Sequence, residues 1–261
     1  MDNQQKQSLA VPIAIVLAGA LVGVGVYMSG KPVGTATGNV PTAVNQARDI
    51  VVPPVTSADN TIGTTNADIV LVEYSDTSCP FCKNFHSTMK TLQSEYGASG
   101  KMAWVYRHFP IVQLHPTAPK ESEATQCAAD QGKFWPYIDY VFGSTSGNLS
   151  TTQLSSIAAS VGLDTTTFDA CLSSGKHTAA ISASVAEAQK LGANGTPTSY
   201  LLLKKALPDN VVEDIMYVFA QYRQPDGSLL GGVSKDKKVV HVSGALPYDF
   251  MKGLINIILG A

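Results

Sequence analysis

The segment Asp68–His86 reads DIVLVEYSDTSCPFCKNFH, and it constrains the fold more than any other part of the chain. Its first half, Asp68–Tyr74, is a short β-branched run and predicts a buried strand. Its second half predicts a helix from Pro80 to about Tyr96, because a proline at the first helical position lacks an N–H that is unneeded there. Cys79 then becomes the N-cap, and Cys82 lies one turn inside. An N-cap side chain faces the backbone N–H groups two and three residues on, here those of Phe81 and Cys82. The positive end of the helix dipole adds to the effect. A thiolate at Cys79 is therefore expected to be stabilised, with its pKa well below the free value of about 8.5. The two thiols should differ, Cys79 exposed and nucleophilic, Cys82 more buried and less acidic. Because this argument assigns the acidity of Cys79 to the helix end, removing the Cys82 thiol should leave it largely intact.

Two cysteines at this spacing serve metal binding, stapling or thiol exchange. Zinc wants a second ligand pair, and the remaining cysteines, Cys127 and Cys171, have no such spacing. A structural disulfide across two residues closes too small a loop to restrict the unfolded chain much. Exchange is the reading left, and no metal and no cofactor is expected. Cys127 and Cys171 suit the staple role better. Both fall in a predicted helical block, and joining them closes a loop of about 45 residues, worth about 4 kcal/mol in the chain-entropy model. Two buried reduced cysteines are the alternative.

Outside this segment the chain alternates. Lys101–Arg107 predicts a second strand. A helical block follows, with pieces at His115–Gln131 and Lys133–Phe142. A capping-box spacing at Ser150–Gln153 starts another helix, Asp164 caps the next, and His177–Leu191 is Ala-rich and stops at Gly192. Strands return at Ser199–Leu203 and Lys237–Val242, and Tyr248–Leu259 is a final amphipathic helix. The fold class is α/β, a sandwich core with a helical domain inserted at about residues 113–192. A further insertion at 204–236 carries Val211, Ile215, Val218 and Tyr222 as one helical stripe, expected to dock on its own domain at the end of the sheet far from the cysteines. His86, on the cysteine helix, reads as a polar surface position.

The first 58 residues differ in kind. Leu9–Met28 is apolar and without charge, and about twenty residues at helical rise match the hydrocarbon core of a bilayer. Tyr27 and Met28 close it without a small-x-small cleavage site, so an uncleaved transmembrane anchor is expected in preference to a removed signal. Residues 1–8 are then a cytoplasmic N-terminus, 29–58 a Gly/Pro/Thr-rich linker whose last part, Ile50–Val55, is expected to form a short edge strand where the fold begins, and 59–261 the folded domain. Either way the cysteines lie outside the cytoplasm, anchored to the cell membrane or secreted, where disulfides persist. A net charge of −2 gives no case for nucleic acid.

Asn194–Tyr200, NGTPTSY, sets Pro197 directly before a strand, where a residue without an N–H marks a strand start or a special turn. With VEYSDTSCPFCKNFH, YRHFPIVQLHPTAPKESEATQCAADQGKFW, FDACLSSGKH, EAQKLGANGTPTSY and VSGALPYDFMKGLI in this order, the chain resembles the DsbA family of thioredoxin-fold thiol–disulfide oxidoreductases. It is most similar to the membrane-anchored or secreted bacterial branch with a second disulfide. The resemblance implies a catalytic set of Cys79, Cys82, Pro197 and Glu73. Pro197 is expected to be cis and to pack against both cysteines, and Glu73 to be buried beneath them and to assist proton transfer. It implies that Thr196 offers its backbone to a substrate strand, with Pro80 and Phe81 also in the substrate-binding surface. Pro-Phe stands between the cysteines where the best-known oxidase of the family has Pro-His. A role mainly as an oxidase of protein thiols is expected, with a disulfide reductase or isomerase, or a non-catalytic thioredoxin-fold binding or assembly factor, as the alternatives. The implied partners are proteins with free cysteines and a quinone-linked membrane reoxidase. With no dimerisation module, a monomer is expected.

Overall fold

The computed structural model describes residues 49–223 and 227–260. The expected cytoplasmic segment, the anchor at Leu9–Met28 and most of the linker lie outside the described residues. Among the described residues no helix is long and apolar enough to cross a membrane.

Two strands make the centre. β2 (Ile69–Ser75) is buried on both faces, as its β-branched run predicts, and it carries the polar Glu73 and Ser75 into the interior. β3 (Met102–His108) lies parallel to it, with Glu73 opposite Tyr106 and Ser75 opposite His108. The helix between them, α1 (Pro80–Tyr96), makes this a βαβ unit. Cys82, Phe85, Met89 and Leu92 recur at helical spacing; the last three pack on Ile69, Leu71 and Trp104, and Cys82 packs with Tyr106, Phe134, Ile138 and Phe142. β4 (Thr198–Leu203) pairs antiparallel with the other side of β2. β6 (Val239–Ser243) and β5 (Gly231–Val233) continue the sheet, and β1 (Asn60–Ile62) forms the opposite edge, giving the order β1-β3-β2-β4-β6-β5.

Between β3 and β4 the chain leaves the sheet for a helical block with its own core. It comprises α2 (Ala118–Ala129), α3 (Phe134–Ser144), α4 (Thr151–Ser160), α5 (Thr165–Ser174) and α6 (Thr178–Lys190). Tyr137, Leu154, Ile157, Phe168 and Leu172 fill that core. Both predicted caps are present: Ser150 and Gln153 close a full capping box, and Asp164 accepts from Thr167 N. Cys127 and Cys171 are bonded, tying α2 to α5. α6 leaves the block and covers the second face of the sheet, where Ala188 and Leu191 meet Val70, Val72 and Tyr200.

Three expectations are corrected. Ile50–Val55 is not a strand: Pro53 and Pro54 have no N–H for a ladder, and their carbonyls accept from the Arg107 guanidinium instead. The edge strand is β1. The 204–236 insertion is not confined to the far end of the sheet. α7 (Asp209–Gln221) runs back along it, burying Val211, Ile215 and Phe219, while Tyr222 is exposed. β5 then pairs along β6, and Leu230 O accepts from Ser243 N, whose residue pairs with Thr198 beside Pro197. A helix and a strand each cross the sheet, so the insertion reaches both ends. Gly231 is required there, since a Cβ on it would come within 2.2 Å of the Phe219 ring. Finally, His86 is buried, not superficial. Its ring lies between Trp104 and Phe142 and bonds Asp139 at 2.7 Å, because α3 covers that side of α1.

Candidate active site

At the C-terminal ends of the parallel strands β2 and β3, a short turn leads from Ser75 into α1. Asp76, fully buried, holds that turn. Its Oδ1 accepts from Ser78 N at 2.8 Å, and its Oδ2 accepts from Ile111 N at 2.8 Å and pairs with His115 Nδ1 at 2.9 Å. The turn delivers Cys79 as the N-cap of α1, with Pro80 next, as the sequence predicts. The loop after α3 braces it from the side: Lys83 Nζ donates to Thr145 O, and a Cβ on Gly147 would meet Ser78 Cα at 2.8 Å.

The two thiols are unbonded and unlike. Cys79 is only 5% exposed, less open than its N-cap position suggested, because the Thr196 carbonyl and the apolar side chains of α3 close over it. Its pKa is lowered to about 6. The largest cause is the hydrogen bond from Cys82, ahead of Thr196 and the backbone N–H groups of Cys82 and Phe81. The helix end is therefore a contributor and not the main source of this acidity. Cys82 has no exposure, and burial pushes its thiol well above the ordinary value. Asp76 N donates to its sulfur at 3.4 Å.

The Thr196–Pro197 peptide bond is cis, which turns the Thr196 carbonyl toward the cysteines, 3.5 Å from Cys79 Sγ. Gly244 N donates to Pro197 O at 2.8 Å, so the segment after β6 flanks the site. Phe81 is 63% exposed and Pro80 is also at the surface, beside the half-buried Thr196. Beneath the cysteines, Glu73 is buried, its Oε2 accepting from Trp104 Nε1 at 2.9 Å. Burial pushes its carboxyl up to about 7. The structure thus gathers Glu73, Cys79, Cys82, Thr196 and Pro197 at one end of the sheet, with the Cys127–Cys171 bond in the helical block. Sequence reasoning missed Asp76, Ser75, Trp104 and Tyr106. Only Asp76 left a signal, an acidic residue three positions before a predicted N-cap cysteine.

The family model described as thioredoxin matches residues 56–206, more than half of the chain. The chain belongs to the thioredoxin family. Solved structures give this thioredoxin-family protein a DsbA-like fold. An alpha-DsbA1 from Wolbachia pipientis superposes with a TM-score of 0.59 at 23% identity, covering 79% of this chain and 93% of that one. BdbD from Bacillus subtilis gives 0.57 at 17%, covering 82% and 100%. A thioredoxin-like oxidoreductase from Silicibacter pomeroyi DSS-3 gives 0.56 at 24%, covering 79% and 95%. Among curated sequences, the Na(+)/H(+) antiporter NhaA of Herminiimonas arsenicoxydans is 33% identical over 153 residues, which is 58% of this thioredoxin-family chain. The chain spans about a quarter of the length of the curated relatives it matches.

Proposed function

We propose that this protein is an extracytoplasmic thiol–disulfide oxidoreductase acting mainly as an oxidase of protein thiols. The observation that carries the reading is the asymmetry of the pair: Cys79 lowered to about 6, Cys82 buried and raised, and a cis-proline loop against the outer sulfur. In the disulfide form, a substrate thiolate attacks Cys79 Sγ. The Cys79–Cys82 bond breaks, Cys82 leaves with the electron pair, and a mixed disulfide forms. A second substrate thiolate attacks the substrate sulfur of that bond and releases reduced Cys79 and Cys82. Thr196 offers its carbonyl to an extended substrate segment, and Phe81 and Pro80 give it an apolar surface. A thiolate favoured at Cys79 stabilises the reduced protein, which makes its disulfide oxidising. Turnover then requires a reoxidant, for which a quinone-linked membrane partner is the proposed class, with Leu9–Met28 holding a monomer at the membrane.

A reductase fed by a membrane donor is the competing reading, favoured by Pro-Phe between the cysteines. Equilibration with glutathione decides between them. DsbA has a potential of about −120 mV and thioredoxin about −270 mV. A value between these, nearer the first, is expected. A thioredoxin-like potential would reject the oxidase and establish the reductase.

A further inference from the structure

Three polar atoms below the cysteines are buried without a closed hydrogen bond: Glu73 Oε1, Ser75 Oγ and Tyr106 OH. Each such atom costs about 1–3 kcal/mol and calls for an explanation. The three share one place. Glu73 and Ser75 lie two apart on β2 and so point to the same face, toward α1, and Tyr106 is the register partner of Glu73 on β3. Ser75 lies close enough to Glu73, Cys82 and Tyr106 to lower the pKa of all three. It is the hub of the group.

The donor and acceptor inventory closes around that hub. Glu73 Oε2 already accepts from Trp104, so the acid proton sits on Oε1. A serine hydroxyl gives one proton and accepts two bonds. Ser75 Oγ can accept from Glu73 Oε1 and Tyr106 OH, and donate to Cys82 Sγ, which satisfies every one of the three atoms. Cys82 needs that proton. It has no exposure, so bulk water does not reach it when it leaves from the disulfide. Apart from Cys79, Glu73 and Tyr106, the titratable groups near this cluster are Asp76 and His108. His108 is the register partner of Ser75, with its ring 5.2 Å from that of Tyr106, and burial lowers its pKa to about 3, so it stays neutral between pH 5 and 9. α3 contributes the apolar Phe134, Ile138 and Phe142, and β4 contributes Ser199 opposite Glu73.

We propose that Ser75 relays the proton between Glu73 and Cys82, with Tyr106 as its positioning residue. The proposal rests on the redox reading of Cys79 and Cys82. When substrate attacks Cys79, the electron pair of the broken bond goes to Cys82 Sγ. The Ser75 proton moves to that sulfur, and the Glu73 Oε1 proton moves to Ser75. The reverse step runs from Cys82 through Ser75 to ionised Glu73 as Cys82 attacks a mixed disulfide on Cys79, expelling the other thiolate to take a proton from solvent.

The test follows the reverse step in the full chain carrying glutathione disulfide-bonded to Cys79, measuring glutathione release between pH 5 and 9. In the unsubstituted protein the rate should rise through an inflection near pH 7, as Glu73 ionises. Ser75→Thr and Ser75→Val fill the same volume, and only the first keeps a hydroxyl. Ser75→Thr should retain the rate and inflection, and Ser75→Val should release at least about tenfold more slowly and lose the inflection. Ser75→Ala, smaller than either, should behave as Ser75→Val does. The alkylation rate of Cys79 should be the same in all four proteins. Equal release and equal pH profiles for Ser75→Thr and Ser75→Val, with prompt release by the unsubstituted protein, overturn the relay alone. If the unsubstituted protein never closes the Cys79–Cys82 bond, the redox reading falls and the relay with it.

Discussion

At the residue scale, the chemistry of the site is that of one sulfur supporting another. Cys79 and Cys82 are one helical turn apart, and the inner S–H reaches the outer sulfur as a hydrogen-bond donor, the largest influence on its acidity. Burial keeps the inner thiol protonated, so the donor is permanent at neutral pH. A consequence follows for the single variant Cys82→Ala. If the helix end dominated, Cys79 would keep its low pKa. With Cys82 as the main cause, the pKa of Cys79 should rise from about 6 toward the ordinary thiol range, read as thiolate absorbance against pH. The remaining lowering would measure what Thr196 and the backbone N–H groups supply, and an unchanged value would return the credit to the helix end.

At the element scale, the site depends on elements that the chain brings in from far apart. Arg107, near the end of β3, is the main clasp on the face opposite α1. Its guanidinium bonds both Asp59 oxygens at 2.7 and 3.1 Å, Glu187 of α6 at 2.6 Å, the Tyr74 hydroxyl, and the carbonyls of Pro53 and Pro54. One side chain therefore joins the start of the domain, both parallel strands and the last helix of the inserted block. Arg107→Ala would leave two partly buried carboxylates without their cation. Breaking a buried pair by removing one partner costs about 3–5 kcal/mol; Asp59 and Glu187 keep 12% and 25% side-chain exposure, which places the expected loss at the lower end. Urea denaturation should show it as a lower midpoint with an unchanged slope, and a loss under about 1 kcal/mol would show that the clasp is solvated. The Cys79 pKa should not move, because Arg107 lies on the other face of the sheet.

At the scale of the whole molecule, the redox state and stability are linked through protons. Cys79 titrates at about 6 in the folded reduced protein, against about 8.5 in an unfolded chain. A depressed folded value stabilises the folded form above the unfolded pKa, and that contribution is lost as pH falls through the folded one. The oxidised protein has no thiol to ionise and lacks the effect. Glu73 acts in the opposite sense: its folded value is raised to about 7, so its contribution is lost as pH rises through that value. Burial, its main cause, is common to both redox forms. Cys82, raised above the ordinary thiol range, opposes Cys79 only as pH nears the unfolded thiol pKa of about 8.5, so between pH 6 and 8 the difference reports chiefly Cys79. The urea midpoint of the reduced form minus that of the oxidised form should grow from pH 6 to pH 8. A constant difference would refute a low Cys79 pKa. The same organisation separates what local sequence dictates from what packing decides. The strand–CxxC–helix unit, the caps at Ser150 and Asp164, the last helix and the position of Cys79 were legible from the sequence, because each is set by neighbours within one turn or one strand. The path of the 204–236 insertion was not, since its length and stripe say that it docks and not where. The burial of His86, the carboxylate brace at Asp76 and the convergence of Ser75 and Tyr106 on Cys82 were not legible either. These depend on strand register and on helices that arrive from the inserted block, and a side chain's environment is fixed only once the elements facing it are in place.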